Sequence, residues 1–330
     1  MACFHPIAAY QPVGNAVGRY GVSRRLKFGL PKDPSRYKEI KVPCGKCVGC
    51  RLDYSRQWAN RCLLEMQYHE HTWFLTLTYD DAHVPRTFSS DPETGEVLAP
   101  AMTLDPRDFT LFIKRLRKRT GQHLRIFGCG EYGGQSLRPH YHIIVFGLSL
   151  ASVEPYKRSE LGDSYFTSPI LDACWTASDG SPKGFIVAAP ANWQTCAYVA
   201  RYVLKKQTGS AGKLDYEQLG LVPPFVRMSR RPGIGAQWLQ DHPGCADFSQ
   251  VNVSTPDGGR SFPLPKYYRN KLKLSDPITM DWLSMESQFV AENSEKISTK
   301  LLTNLTSVDI LNNRERAVLK KAQLLRRNLE

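Results

Sequence analysis

The alternation of hydrophobic and polar positions predicts where the first regular elements lie. Residues 1–50 are rich in glycine and proline, show no clear periodicity and are expected to be irregular. From residue 51 to residue 68, apolar side chains recur at helical spacing, which indicates an amphipathic helix. Residues 72–79 are β-branched and aromatic with near alternation, so we expect a strand there and a loop over residues 80–103.

The middle of the chain predicts a helix followed by a β-hairpin. Asp105 is a good N-cap ahead of Pro106, and Gly121 can end the helix that begins there. Two short apolar segments, residues 124–129 and 140–146, follow on either side of a turn that contains glycine. We expect these two segments to pair as a hairpin.

Beyond the hairpin the pattern weakens and then becomes helical again. Residues 149–183 are polar and rich in turn formers, which predicts loops with a short helix near residues 170–175. Residues 192–206 have a helical pattern, and the charged end of the chain predicts a helix from about residue 312. Together these elements predict an α+β fold, in which a central antiparallel sheet contains the strand 140–146 and helices pack on one face.

Composition and charge narrow the class of partner. The 330 residues are 42% hydrophobic and 23% charged, which is enough for a sizeable core. A formal net charge of +13 favours a polyanionic partner, either nucleic acid or an anionic membrane surface. The sequence has no run of about 18 apolar residues and no recognisable signal peptide, so we expect a cytosolic protein without a membrane role.

The sharpest chemical feature is the pair His140 and His142 at the start of an apolar segment. Residues two apart in a strand point to the same face, so both imidazoles can address one divalent ion. Glu131 ends the preceding strand, and a hairpin would bring its carboxylate beside them as a third ligand. Such a site keeps positions open for phosphate oxygens. A surface strand that merely contains two histidines is the alternative.

A second feature lies in the helical segment downstream. Tyr198 and Tyr202 are four residues apart and therefore share a helix face, while Lys205 follows one turn later and Lys206 is next to it. Two tyrosines on a helix can simply be half-buried core residues. Combined with a metal site, however, they supply the nucleophile and the positive charge that phosphodiester cleavage requires.

Other residues suggest a zinc site and a DNA-binding surface. Nine cysteines without an export signal argue against a disulfide framework. Cys44, Cys47 and Cys50 form a CxxCxxC motif that is one ligand short of a structural zinc site, and Cys3 or His5 could complete it. An iron–sulfur cluster and unligated thiols are the alternatives. Candidate DNA-backbone contacts, which could equally be a solvated surface, are Lys114, Arg117, Lys118 and Arg138.

In order along the chain, three segments resemble the three motifs of the HUH replication initiators. They are FLTLTY at residues 74–79, RPHYHIIVFG at residues 138–147 and YVARYVLKK at residues 198–206. Further segments make the chain similar to the gokushovirus-like Microviridae, small phages with circular single-stranded DNA: CFHP, CGKCVGCR, RQWANRC, GEYGG, MSRRPGIG and PKYY. The resemblance extends to about residue 270.

This resemblance implies an RRM-like HUH nuclease fold and a specific division of the chain. Residues 1–69 would be a Cys-rich segment and helix, residues 70–207 the catalytic domain and residues 208–330 a C-terminal extension. The implied ligands of Mg²⁺ or Mn²⁺ are His140, His142 and Glu131; the implied nucleophiles are Tyr198 and Tyr202; and Lys205 would be the phosphate-side partner. Tyr141 departs mildly from the hydrophobic middle residue that is usual between the two histidines.

The implied activity is initiation of rolling-circle replication in the cytoplasm of a bacterial host. A tyrosine would nick a single-stranded DNA origin, forming a 5′-phosphotyrosine and a free 3′-OH for a host polymerase, and the strands would later be rejoined to a circle. No P-loop is visible, so a host helicase is an expected partner. The alternatives are a plasmid or transposon HUH relaxase, a non-catalytic single-strand-binding protein, and hydrolysis by metal-activated water.

Overall fold

The chain divides into two compact units, one formed by Met1–Tyr54 with Asp281–Glu330 and the other by Ser55–Met280. The computed structural model describes residues 3–13, 17–18, 21–22, 26–88, 90, 94–96, 99–134, 136–159, 162–205, 216, 220–248, 250–256, 258–275, 293 and 305–324. No helix within these ranges combines the length and the apolar character needed to span a bilayer.

The described strands and helices alternate along the chain. The strands are β1 (Ile7–Pro12), β2 (Val17–Gly18), β3 (Gly21–Val22), β4 (Tyr37–Val42), β5 (Thr72–Thr78), β6 (Arg86–Thr87), β7 (Ala101–Met102), β8 (Arg125–Tyr132), β9 (Pro139–Phe146), β10 (Glu154–Arg158), β11 (Ser164–Thr167), β12 (Ile186–Pro190), β13 (Phe225–Met228), β14 (Val251–Thr255) and β15 (Gly258–Phe262). The helices are α1 (Val48–Met66), α2 (Pro106–Thr120), α3 (Pro169–Asp172), α4 (Trp193–Lys205), α5 (Ala236–Asp241), α6 (Lys266–Ser275) and α7 (Ser307–Leu324), with short 3-10 helices at Pro34–Arg36 and Pro243–Asp247.

The second unit is organised around a seven-stranded antiparallel sheet with the order β10-β11-β12-β5-β9-β8-β13. Strand β9 carries the two histidines and lies inside the sheet, between β5 and β8. The α+β class and the interior position of this strand are therefore confirmed. An interior strand has both of its edges hydrogen-bonded, which holds its side chains in a fixed register.

Helices contact both faces of this sheet, which corrects the expectation of helices on one face only. On one face, Phe109 of α2 packs edge-on against Tyr141, with ring centroids 5.9 Å apart. On the other face, Trp58 of α1 stacks on Phe127 at 4.8 Å, and α4 also packs against β8 and β9. Strand β9 is buried on both sides, so its second face also needs cover, as in other doubly covered sheets.

The predicted cap residues define helix α2 as expected. The side chain of Asp105 accepts a hydrogen bond from the Arg107 amide, and Pro106 occupies the first helical position. Gly121 ends the helix with a φ of 66°, a left-handed conformation that glycine adopts without steric cost. Both helix boundaries are therefore confirmed.

Several strands fall where loops or irregular structure were expected. Strand β10 and its partner β11 lie in the segment 149–183, and all of β10 is exposed, so it carries no hydrophobic alternation. In the first unit, β1 pairs with β4 although residues 1–50 were expected to be irregular. The expectation was wrong at these places because the strands are defined by pairing with another segment and not by their own pattern.

A buried ion pair holds the segment after β13 within the second unit. The Glu65 carboxylate accepts hydrogen bonds from the Arg125 guanidinium and, at 2.6 Å, from the Gly235 amide. Arg61 donates to the Ile234 carbonyl oxygen at 2.9 Å, and the Tyr268 hydroxyl donates to the Gly235 carbonyl oxygen at 2.8 Å. The sequence MSRRPGIG thus has a structural role, because polar side chains of α1 and α6 bind its backbone.

Candidate active site

The two histidines and the glutamate lie on the same face of neighbouring strands. His140 pairs with Thr78 of β5 on one side and with Glu131 of β8 on the other, and His142 pairs with Thr76. Directly opposed residues in an antiparallel pair have neighbouring side chains on one face. The hairpin of β8 and β9 therefore brings Glu131 beside both imidazoles.

The three side chains converge on one point. Oε1 of Glu131 lies 3.0 Å from Nε2 of His140 and 3.1 Å from Nε2 of His142. The other carboxylate oxygen, Oε2, is buried and has no hydrogen-bond partner among the described residues. A buried oxygen without a partner is costly, and a bound cation would satisfy it.

Hydrogen bonds to the outer ring nitrogens orient both imidazoles. Nδ1 of His140 lies 3.1 Å from the carbonyl oxygen of Arg138, and since a carbonyl only accepts, this nitrogen carries the proton. Nδ1 of His142 lies 3.0 Å from the hydroxyl oxygen of Thr76. Both Nε2 atoms therefore face Glu131, an arrangement typical of metal-binding histidines.

The charge of Glu131 fits a cation site. Its side chain is only 3% exposed, and burial acts to raise the pKa of the carboxyl. Hydrogen bonds from His140 and His142 outweigh that effect, so the pKa lies below its ordinary value. The site consequently presents a carboxylate together with two imidazole nitrogens, a donor set that can hold a divalent metal ion.

Tyr198 extends from α4 into the same site. Its hydroxyl lies 3.5 Å from Nε2 of His142, and its ring packs edge-on against Phe74 and His142. The Tyr198 side chain is buried, and the guanidinium carbon of Arg201 lies 5.8 Å from its ring centroid. Phenol, imidazoles and carboxylate therefore meet on one face, with an arginine close to the phenol.

Helix α4 is fixed in place at its start and along its length. Asn192 and Thr195 exchange two hydrogen bonds of 2.9 Å, a capping box that satisfies free amides at the first turn. The indole nitrogen of Trp193 donates to Asn60, and the Ser55 hydroxyl donates to the Ala197 carbonyl oxygen at 2.8 Å. These contacts set the position from which Tyr198 reaches His142.

The other residues of the third motif lie at the end of α4. Tyr202 and Lys205 belong to the last turns of the helix, but their side chains lie outside the described part of the structure, and Lys206 lies outside it entirely. The backbone of a helix places position i+4 on the face of position i. Tyr202 is therefore on the same helix face as Tyr198.

The candidate DNA-backbone residues are not gathered at this site. Arg138 donates to Asp81 at 2.7 Å and to the Tyr79 carbonyl oxygen, so its guanidinium is bound by the protein. Lys114, Arg117 and Lys118 are exposed on α2, which packs on the sheet face opposite to the histidines. The structure thus separates these residues from the metal-binding face.

Two supporting groups could not be identified from the sequence. Thr76 orients His142, but only the register between β5 and β9 reveals that contact. Tyr141 points to the opposite face, where its hydroxyl lies 2.8 Å from that of Tyr79 and donates to the Asp105 carbonyl oxygen. The aromatic residue between the histidines therefore belongs to a buried hydrogen-bond network and not to the metal-binding face.

The motif cysteines form a separate group in the first unit. The Sγ atoms of Cys3, Cys44, Cys47 and Cys50 all lie within 4.8 Å of one another. His5, the alternative fourth ligand, instead contacts Glu315 of α7 at 2.7 Å. The sequence left the choice open, and the structure places Cys3 in this group.

Comparison with known proteins gives consistent matches. The model of the replication-associated protein ORF2 family matches residues 72–207, which include all the strands and helices of the site. Replication-associated protein ORF2 of Spiroplasma virus 4 is 32% identical over 309 residues, covering 89% of this chain and 88% of its own length. Replication-associated protein VP4 of Bdellovibrio phage phiMH2K is 28% identical over 305 residues, covering 89% and 84%. No solved structure matches the chain.

Proposed function

The chain belongs to the replication-associated protein ORF2 family, and from this membership we propose that it initiates rolling-circle replication by nicking single-stranded DNA with a tyrosine. One observation carries the proposal. The Tyr198 hydroxyl and Oε1 of Glu131 lie 3.5 Å and 3.1 Å from the same atom, Nε2 of His142. A nucleophile and a cation-binding site are thereby adjacent, as phosphodiester transesterification requires.

The metal proposed for the site is Mg²⁺ or Mn²⁺, held by Glu131, His140 and His142. Support comes from the buried Oε2 of Glu131, which lacks a hydrogen-bond partner among the described residues, and from the two Nε2 atoms directed at the carboxylate. When bound, the ion supplies Lewis-acid polarisation of the scissile phosphate. Two imidazoles beside one carboxylate suit Mn²⁺ better than Mg²⁺, which prefers oxygen ligands.

In the proposed reaction, a bond forms between the Tyr198 oxygen and phosphorus while the bond from phosphorus to the 3′ oxygen breaks. The phenol loses its proton, and the departing 3′ oxygen gains one. The products are a 5′-phosphotyrosine and a free 3′-OH. One phosphodiester replaces another, so the bond energy is conserved and no nucleotide cofactor is needed. Arg201, close to the Tyr198 ring, adds positive charge where the pentavalent phosphate forms.

Tyr202 is the proposed second nucleophile, since it lies one helical turn after Tyr198 on the same face. After one round of synthesis it would attack the regenerated origin, and the released 3′-OH would attack the first phosphotyrosine and close a circle. Lys205 is the proposed phosphate-side partner. Because the exchange is symmetrical, the order in which the tyrosines act is left open.

The proposed partners follow from the products. A free 3′-OH is a primer, so a host DNA polymerase would extend it, and a host helicase would separate the strands because the sequence contains no P-loop. The DNA partner is a single-stranded origin. The net charge of +13 supports binding to a polyanion.

The test is an adduct assay with tiled single-stranded fragments of the replicon that encodes the protein, incubated with Mn²⁺ and resolved on denaturing gels. Wild type should yield a protease-sensitive protein–DNA band that is lost with chelator. Tyr198→Phe and Tyr202→Phe should each reduce the band, and the double variant should abolish it. Tyr156→Phe, at a tyrosine that is 51% exposed on β10, is the matched control and should leave the band unchanged.

Other outcomes would favour the rival functions. Cleaved DNA without a covalent band would indicate hydrolysis by metal-activated water. A mobility shift without cleavage on every fragment would indicate a single-strand-binding protein. Cleavage of plasmid or transposon ends, with none on the replicon's own fragments, would indicate a relaxase or transposase.

A further inference from the structure

The cysteine cluster of the first unit is created by strand pairing. Strands β1 and β4 are antiparallel with Ile7 opposite Val42, so the chain before β1 runs alongside the chain after β4. Cys3 precedes β1 by a few residues, and Cys44 and Cys47 follow β4. The pairing therefore carries an N-terminal cysteine to the CGKCVGC segment, 41 residues away.

The four sulfur atoms have the spacing of ligands around a single ion. Sγ of Cys44 lies 4.0 Å from Sγ of Cys50, and Sγ of Cys47 lies 4.0 Å from Sγ of Cys3. For a tetrahedral zinc site with Zn–S bonds near 2.3 Å, neighbouring sulfur atoms are about 3.8 Å apart. An iron–sulfur cluster with several iron atoms needs a wider arrangement of cysteines.

Backbone amides surround the sulfur atoms. The donors reach Cys3 and Cys44 at 3.3–3.4 Å and Cys47 at 3.3–3.5 Å. They are the amides of Phe4, Cys44, Lys46, Cys47 and Cys50. Amide donors stabilise thiolate, which is the form that binds metal. Gly45 turns the CGKC segment with a φ of 73°, a conformation that glycine adopts without steric cost.

We propose that Cys3, Cys44, Cys47 and Cys50 bind one zinc ion as a closed structural site. Four soft thiolates select zinc over the hard ions Mg²⁺ and Mn²⁺, which need oxygen ligands. Four protein ligands leave no open position, so the ion is structural and not catalytic. The inference does not depend on the proposed nicking activity, because none of its ligands belongs to the histidine site.

The ion would stabilise an element that is weak without it. A two-stranded sheet is marginally stable alone, and β1 and β4 together form such a sheet within the described part of the first unit. Zinc would join the segment before β1 to the turn after β4 and to the first turn of α1, where Cys50 lies. Removing the ion should therefore loosen the N-terminal segment.

The first experiment measures metal in the full chain, purified under reducing conditions without added metal. We expect one zinc per chain by elemental mass spectrometry. The variant His140→Ala/His142→Ala should keep that zinc, which separates this site from the histidine site. Zinc that disappears with the histidines would overturn the proposal, as would a wild-type protein without zinc both as purified and after reconstitution under reductant.

A pair of serine variants tests the ligands. Cys47→Ser should lose the bound zinc, whereas Cys245→Ser, at a buried cysteine in the core of the second unit, should retain it. Retention of full zinc by Cys47→Ser would overturn the assignment. Cobalt reconstitution provides a readout independent of activity, because four thiolates around Co²⁺ give intense charge-transfer bands and tetrahedral visible bands, and octahedral spectra would contradict the site.

Wild-type protein alone provides a further check should Cys47→Ser fail to fold. Peptide mapping after alkylation should show the four cysteines protected until a chelator is added and reactive afterwards, with release of one zinc. Disulfides among these residues in reduced protein, or iron with the colour of a sulfur cluster, would overturn the proposal.

Discussion

The Tyr198 hydroxyl lies 3.5 Å from Nε2 of His142, although 56 residues separate the two in the chain. The contact joins a helix to the interior strand of the sheet, and both partners are buried. It places a phenol beside a histidine whose Nε2 also faces the Glu131 carboxylate. The expectations below follow from this arrangement and from the contacts that hold it.

Glu131→Gln should abolish metal binding with little loss of structure. The amide keeps the shape of the side chain but removes the charge that faces His140 and His142. We expect nicking to fall by on the order of 100-fold or more, as when a first ligand or electrostatic stabiliser is lost. Bound Mn²⁺ measured by electron paramagnetic resonance provides the direct readout. Glu70→Gln, at an exposed glutamate, is the control, and equal activity of the two variants would contradict the assignment.

Thr76→Val should weaken the site without touching a proposed ligand. The variant removes the hydroxyl that lies 3.0 Å from Nδ1 of His142, so the imidazole loses the contact that orients it. Loss of such a supporting hydrogen bond typically costs about 10- to 100-fold in metal affinity. Calorimetric Mn²⁺ titration would measure the change, and Thr76→Ser should restore most of the affinity. If Thr76→Val binds Mn²⁺ like wild type, Thr76 does not position His142.

Tyr141→Phe should separate stability from metal binding. The Tyr141 hydroxyl accepts from the Asp105 amide at 3.1 Å and lies 2.8 Å from the Tyr79 hydroxyl, all on the face opposite to the metal ligands. Leaving these buried groups without a partner should lower the free energy of unfolding by about 1–3 kcal/mol. Urea denaturation measures that loss. Mn²⁺ affinity should stay unchanged, and a large drop in affinity would show that the two faces are coupled.

The Glu65–Arg125 ion pair should make stability depend on pH in the acidic range. Burial acts to raise the pKa of Glu65, but hydrogen bonds from His69, the Gly235 amide and Arg125 outweigh it, and the pKa is lowered. A carboxyl with a depressed folded-state pKa stabilises the fold fully above its unfolded pKa of 4.5, and the stabilisation is lost as pH falls through the folded value.

Glu65→Gln tests that pH dependence. Removing one partner of a buried ion pair leaves Arg125 uncompensated, so we expect a loss of about 3–5 kcal/mol at neutral pH. The difference between wild type and variant in urea denaturation should shrink as the pH is lowered below 4.5. A difference that is constant with pH would mean that Glu65 is not ionised in the folded protein.

Local chemistry explains which parts of the fold the sequence predicted. Asp105 and Gly121 cap α2 through their own backbone and side chains, so the helix boundaries follow from adjacent residues alone. The two-residue period of a strand places His140 and His142 on one face, and a short hairpin brings Glu131 to them. These three features depend on contacts that are close in sequence.

The features that were missed depend on contacts between separate segments. Thr76 meets His142 only through the register of β5 against β9, 66 residues apart. Strand β10 is fully exposed and forms because β11 pairs with it. Helices on the second sheet face could not be inferred either, since the continuous apolar segment of β9 indicates burial but not which element covers it.

The most direct test of the central proposal is to locate the covalent bond to DNA. Wild-type protein would be trapped on an origin-containing single strand with Mn²⁺, digested with nuclease and protease, and mapped by tandem mass spectrometry. We expect a nucleotide on the phenolic oxygen of Tyr198 or Tyr202, in a peptide from α4, with the label at the 5′ side of the break. A nucleotide on any other residue, or cleaved DNA with no modified peptide, would contradict the proposed tyrosine mechanism.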